Sequence, residues 1–262
     1  MEEASWLHDL QHNVAPRVIE QLNIQDRDGC FHHMNSSNNQ MERDDFILGD
    51  VDVEAKYEKS LSILRDIISS GQWPSTSIAR SKVIKKGDGD GDASSDASVN
   101  DNYNYNDKAS MDTSTPHGIQ SGSFTIINPH FRDRNGVSIL ENEKVRTPLA
   151  NDLFPDLEEA IFDFEEGLSI KLETKTNCPS SSHCAVNRNA QFTPHVDSGR
   201  GSGQSLSMII GLGDYNGGEL LVEGEVHNIY RVPLEFDGWK DWHWTAPFQG
   251  ERYSLVWFTP DL

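Results

Sequence analysis

A chain of 262 residues is long enough for one sizeable domain with accessory elements, but only 35% of it is hydrophobic, so part should lie outside any packed core. The formal net charge of −20 argues against broad, nonspecific attraction to nucleic acid, and residues 121–262 keep the excess, with 21 acids against 11 bases. Cys30, Cys178 and Cys184 supply neither a disulfide framework nor a four-ligand zinc site, and read as reduced thiols. The start, Met1-Glu2-Glu3, lacks an apolar signal core. No run approaches the roughly 20 apolar residues of a membrane helix. The expectation is a soluble intracellular protein, of cytoplasm or nucleus, with no membrane partner.

Residues 5–24 carry Trp6, Leu7, Leu10, Val14, Val18, Ile19 and Leu22 at helical spacing, interrupted by Pro16. Residues 26–50 are polar and read as loop, with His32-His33 solvated rather than ligating. Residues 52–70 form an amphipathic helix with Val53, Tyr57, Leu61, Leu64, Ile67 and Ile68 as its apolar stripe and Gly71 as its stop. Residues 1–80 thus read as an N-terminal helical support region. Residues 81–120 hold an insertion of low complexity, expected to be disordered because it offers few large apolar groups to offset ordering entropy. Its Asp-Gly alternation at 88–92 lacks the terminal Glu and flanking helices of a calcium-binding hand.

The third unit, 121–262, opens on a β-rich run at 121–127. A helix is expected over 152–168, with Asp152 as cap and Leu153, Leu157, Ile161, Phe164 and Leu168 as its buried stripe. Its acids Glu158, Glu159, Asp163, Glu165 and Glu166 are expected on a solvated face. Beyond it the pattern is all β, with strands at 169–175, 184–193, 204–212, 218–223, 226–232 and 251–259 and a hairpin signal at Asn216-Gly217. Short strands with glycine turns suggest a jelly roll, so the fold class is mainly β with flanking helices.

The chemistry is carried by Phe192-Thr193-Pro194-His195-Val196-Asp197 and two later pieces. On a strand, positions i and i+2 share a face, so His195 and Asp197 can meet one ion. His243 can complete a two-His-one-carboxylate set, which leaves coordination positions open as non-haem Fe(II) oxygenases require. His227 is its rival for the third place. Nine residues past His243 comes Arg252, then Ser254 on the same strand face: a guanidinium with a nearby hydroxyl is a fitted receptor for a carboxylate. If the strand alternation runs unbroken from 184 to 197, Asn187, Asn189 and Gln191 share the inward face with the metal pair, while Arg188, Ala190 and Phe192 face away. Those amides either bond one another or face a ligand. The glycine-rich loop at 198–204 brings Arg200 near the metal as a substrate contact or a solvated cation.

Residues 184–259 resemble the double-stranded β-helix core of Fe(II)/2-oxoglutarate-dependent dioxygenases. Asn187-Arg188-Asn189, the His195–Asp197 pair, the run 211–220 and His243 followed by Arg252-Tyr253-Ser254 are most similar to the TET/JBP-like branch. That resemblance implies Fe(II) held by His195, Asp197 and His243, and 2-oxoglutarate held by Arg252 and Ser254, with dioxygen as the second co-substrate. It favours His243 over His227. Algal members of the branch include a 5-methylcytosine-modifying enzyme that uses ascorbate in place of 2-oxoglutarate, so the resemblance leaves ascorbate as the alternative. The resemblance favours a methylated nucleobase as substrate; the acidic charge disfavours a nucleic-acid partner and suits a small metabolite or a protein side chain. A metal-binding jelly roll without oxygenase activity is the third reading, opposed by Arg252-x-Ser254. Composition alone carries one test: deletion of residues 87–117 should shift the melting temperature by no more than a few degrees, by differential scanning calorimetry. A loss of folding would show that the segment packs.

Overall fold

The computed structural model describes residues 50–74, 76, 78–85, 121–131, 149–172, 181–197 and 203–261. The expected helix at 5–24, His32-His33, Cys30, Cys178, Arg200 and residues 86–120 of the expected insertion lie outside the described residues. Helix α1 (Val51–Ser69) begins where the Asp50 carboxylate accepts from the amides of Asp52 and Val53, at 3.2 and 3.3 Å, satisfying two of the donors a helix start leaves open. It buries Val53, Tyr57, Leu61, Leu64 and Ile67, as their spacing predicts, and stops before Gly71 at φ +70°. A short helix, α2 (Ile78–Ser81), follows.

The helix expected over 152–168 is two: α3 (Leu149–Leu153) and α4 (Pro155–Lys171). Pro155 cannot donate an amide hydrogen and so sits in the first turn of α4, with Phe154 rather than Asp152 at the cap position. Leu153, outside α4, is exposed instead of joining the stripe. Two of the acids expected in solvent are buried. Glu165 accepts from the Ser181 amide at 3.0 Å, and burial raises its pKa; Glu158 accepts from Asn151. Helix α4 continues through 169–171, where a strand was expected.

Strands β1 (Gly122–Ile127), β2 (His183–Arg188), β4 (Ser207–Gly217), β7 (Leu234–Phe236) and β9 (Phe248–Phe258) form a five-stranded sheet in the order β1-β2-β9-β4-β7, its described pairings all antiparallel. A smaller sheet runs β6-β5-β8, from β5 (Leu220–Val222), β6 (Glu225–His227) and β8 (His243–Thr245). A third pairing joins β3 (Gly203–Gln204) to β10 (Pro260–Asp261). Asn216-Gly217 does not close a hairpin between neighbours: β4 runs through it, Gly217 and Gly218 turn at φ +77° and +72°, and the chain crosses to the other sheet. The two sheets make the double-stranded β-helix. Among the described residues, no helix is long and apolar enough to cross a membrane.

The large sheet has two chemically different faces. Val186, Leu212, Tyr253, Leu255 and Trp257 point outward into a cluster with Tyr57, Leu64, Leu157, Ile161 and Phe164 of α1 and α4. Strand period 2 then sends Asn187, Arg252, Ser254 and Val256 inward. Between the sheets, Ile209, Leu220, Ile229 and Phe236 form a smaller apolar cluster. Leu64 is fully buried at the helix–sheet contact; Leu64→Ala should cost about 2–5 kcal/mol, measured by urea denaturation. A loss below about 1 kcal/mol would show that α1 is not part of this core.

Candidate metal centre and its cavity

The metal pair lies on a segment that is not a regular strand. β2 ends at Arg188 because Asn189 adopts φ +45°, outside the strand region. Asn189 exchanges backbone and side-chain bonds with Arg252: its amide donates to the Arg252 carbonyl at 2.7 Å and its Oδ1 accepts from the Arg252 amide at 2.9 Å. The break shifts the alternation. Phe192, expected to face away, lines the cavity between the sheets, as does Asn187; Asn189 does not. The segment is instead held by neighbours on both sides. Phe192 bridges Ile84, Thr193 donates from its amide to the Val83 carbonyl at 2.7 Å, and His195 bridges His243 of β8.

That bridge brings together ligands far apart in sequence. The His195 and His243 backbones exchange hydrogen bonds of 3.1 and 2.9 Å, and their rings lie 4.3 Å apart, centre to centre. His195 Nδ1 lies 2.7 Å from the Thr193 carbonyl oxygen, and His243 Nδ1 lies 2.9 Å from that of Asp241. A carbonyl only accepts, so each Nδ1 carries the hydrogen and each Nε2 presents a lone pair. Burial first, then the neighbouring His243, lowers the His195 pKa to about 4, which keeps that lone pair available near neutrality. Asp197 Oδ2 accepts from Gln204 Nε2 at 2.9 Å, leaving Oδ1 facing His243 Nε2 at 4.0 Å. That distance is too long for a direct hydrogen bond. The donor atoms of His195, Asp197 and His243 all lie within 4.8 Å of one another, so an ion fits among them after small side-chain rotations. Two imidazoles and one carboxylate are a donor set suited to Fe(II) with open coordination positions. His227, on β6, is not part of the group.

Gly238 shapes the carboxylate's place. The Asp197 amide donates to the Gly238 carbonyl at 2.8 Å, and a Cβ on Gly238 would sit 2.5 Å from Asp197 Oδ2. Neither Gly238 nor Gln204 announces this role in the sequence: the close approach exists only once the loops are folded.

The triad opens on a cavity of about 280 Å³. Across the cavity, the large sheet presents a polar row set by strand register, in which Ser123, Asn187 and Ser254 are successive cross-strand partners. Ser123 Oγ donates to Asn187 Oδ1 at 2.6 Å, and Asn187 Nδ2 donates to Ser254 Oγ at 3.1 Å. Arg252 shares the inward face with Ser254 but does not line the cavity. Its guanidinium is buried beside the rings of Phe248 and Tyr215, 5.3 and 5.5 Å from their centres, and donates from Nη2 to the Gly218 carbonyl at 3.1 Å. Its Nε has no well-aligned partner, and the Tyr215 hydroxyl, also without one, lies close enough to the guanidinium to interact with it. The Tyr215 hydroxyl occupies the space over Gly211, 2.0 Å from where a Cβ would be, and Gly211 is the cross-strand partner of Ser254. The phenol therefore stands between the polar row and Arg252.

No family model matches the chain, and no curated protein matches it. Among solved structures it is similar to NgTET1 in complex with 5mC DNA, at 18% identity and a TM-score of 0.28, over 43% of this chain and 46% of that one. It is similar to an oxidoreductase of the 2OG-Fe(II) oxygenase family from Burkholderia pseudomallei, at 18% identity and a TM-score of 0.30, over 52% and 67% of the two chains. It is also similar to a prolyl-4-hydroxylase from Pseudomonas putida, at 13% identity and a TM-score of 0.36, over 79% and 87%. The matched region spans less than half the length of NgTET1.

Metal loading tests the centre directly. His195→Ala, Asp197→Ala and His243→Ala should each abolish stoichiometric Fe(II) binding with the fold retained. Gly238→Ala should weaken binding by about 10–100-fold, because it displaces a ligand rather than deleting it. Calorimetric titration of the anaerobic protein measures both effects. Unchanged Fe(II) affinity in the three ligand variants would sink the assignment.

Proposed function

We propose that the protein is an Fe(II)-dependent dioxygenase that uses 2-oxoglutarate to hydroxylate a C–H bond of a substrate bound between the two sheets. The observation that carries this is the His195–Asp197–His243 group, with its rings oriented by backbone carbonyls, set in the wall of a partly open cavity between the two sheets. Ferrous iron with 2-oxoglutarate supplies the activation of dioxygen. The chain supplies the rest. Thr193 and Asp241 hold the imidazoles in one tautomer, and Gln204 holds the carboxylate. Phe192, Val196, Phe236 and Trp244 line the cavity with apolar surface that excludes water from the reacting centre.

Arg252 and Ser254 receive the distal carboxylate of 2-oxoglutarate in this reading. What supports it is a buried guanidinium with an unpartnered Nε: a buried cation is costly to keep unless a partner arrives. Burial lowers its pKa, the sign of that cost. Tyr215, which now interacts with the guanidinium, must turn aside for such a contact, and its hydroxyl can then donate to the same carboxylate. Asn187 positions Ser254 through its amide. Asn189 positions Arg252 by pinning its backbone rather than by touching the ligand. Ascorbate is the alternative co-substrate.

A small metabolite or a protein side chain is the substrate class we favour, on the net charge of −20 and the small volume of the cavity, about 280 Å³. A methylated nucleobase such as 5-methylcytosine is the second reading, favoured by the aromatic walls Phe192 and Trp244, on which a flipped base can stack. Oxygen consumption with stoichiometric succinate formation tests the reaction. Product mass analysis on methylated DNA and on a metabolite panel separates the substrates. Arg252→Ala should weaken 2-oxoglutarate binding by about 30-fold or more, the loss of one partner of a buried charged contact, while Fe(II) binding holds. Arg252→Lys should recover only part, since an ammonium cannot reproduce the fork. Turnover on ascorbate alone, with no succinate, would remove Arg252 from this role.

A further inference from the structure

The cavity contains a cation that the Arg252 reading does not use. Arg80 comes from the end of α2, in the N-terminal support region, yet its side chain borders the same space as His195 and Asp197. It is the one Arg or Lys among the described lining residues. Two hydroxyls of β1 fix its plane: Nη1 donates to Ser123 Oγ at 2.7 Å and Nη2 donates to Thr125 Oγ1 at 3.1 Å. Ser123 and Thr125 are two apart on one strand, so both stand on the inward face. Ser123 is also the first member of the row that runs through Asn187 to Ser254. Arg80 therefore closes one end of the polar floor. The opposite wall carries the metal ligands, and Val83, Phe192, Val196, Phe236 and Phe258 make the rest of the lining largely apolar.

We propose that Arg80 is a carboxylate receptor within this cavity, binding a small organic acid between the polar floor and the metal triad. The planar fork suits a carboxylate, and the hydroxyls preset its orientation before the ligand arrives. An acid entering the cavity in this conformation meets Arg80, because Arg252 lies beyond Tyr215. The carboxylate has two possible sources, the co-substrate or the molecule to be oxidised. The first rests on the functional reading above; the second needs only the cavity and its metal.

The experiment uses the full chain loaded with Mn(II) and isothermal titration calorimetry. In the first arm, Arg80→Gln should raise the Kd for 2-oxoglutarate by about 30-fold with Mn(II) affinity unchanged, and Arg80→Lys should fall between. That result makes the co-substrate the source. In the second arm, 3-phenylpropionate and its amide are titrated at saturating 2-oxoglutarate. A preference for the acid of about 30-fold in the unsubstituted protein, lost in Arg80→Gln, makes the substrate the source. If Arg80→Gln binds both acids as tightly as the unsubstituted protein, Arg80 serves only to dock α2 on β1 and the proposal is overturned. Should Arg80→Gln not fold, Arg80→Lys decides by the same comparison, unchanged affinity for both acids overturning the proposal. An unsubstituted protein that binds Mn(II) but neither 2-oxoglutarate nor ascorbate sinks the dioxygenase reading instead, and the acid-against-amide comparison without co-substrate then decides for Arg80, equal binding overturning it.

Discussion

The antiparallel bridge between His195 and His243 is the constraint on which the site depends. It joins an irregular segment after β2 to β8, 48 residues later in the chain. Two backbone hydrogen bonds set the ligand spacing, and the carbonyls of Thr193 and Asp241 then fix the ring orientations. The candidate metal site is thus built largely by backbone, which costs little to keep in place because those groups must be satisfied in any case. The Asp197 carboxylate alone depends on a side chain, Gln204, and on the room that Gly238 leaves.

The large sheet separates stability from chemistry. Its outer face, with Tyr253, Leu255 and Trp257, carries the apolar contact with α1 and α4. Its inner face carries Asn187, Arg252 and Ser254 on the intervening positions of the same strands. A one-residue slip of β9 would exchange the two faces, so the hydrophobic pattern that holds the helices also aims the polar groups at the cavity. Paired salt bridges reinforce this placement at the rim, where Arg65 of α1 reaches Asp214 and Glu251 at 2.8 Å. Being largely exposed, they contribute little energy.

Two arginines, Arg252 buried and Arg80 half-buried, meet the floor of the cavity from different directions. Arg80 is held by hydroxyls of β1 and borders the open volume; Arg252 lies behind Tyr215, against aromatic rings and one carbonyl. The Arg252 arrangement is not what packing alone would select, since a buried guanidinium costs more than an apolar side chain of the same size. Such a cost persists where a ligand's charge offsets it.

Much of this was legible in the sequence. The stripe of α1, the run of β1, the jelly-roll pattern and the H-x-D with its later histidine all follow from local periodicity or from residue types with few other uses. Other readings failed where a single residue changed the backbone. Pro155 began α4 afresh and left Leu153 outside; Asn189 ended β2 and turned Phe192 inward. Buried Glu158 and Glu165 were not foreseen because their partners, Asn151 and the Ser181 amide, lie outside α4. By itself the sequence determined which residues can ligate a metal and which strands can alternate, because these depend on chemistry and on neighbours a few positions away. Only the tertiary structure decided that His243 rather than His227 joins the pair, that Gln204 and Gly238 serve Asp197, and that Arg80 reaches the cavity. Those are contacts between segments far apart in the chain, and no local pattern encodes them.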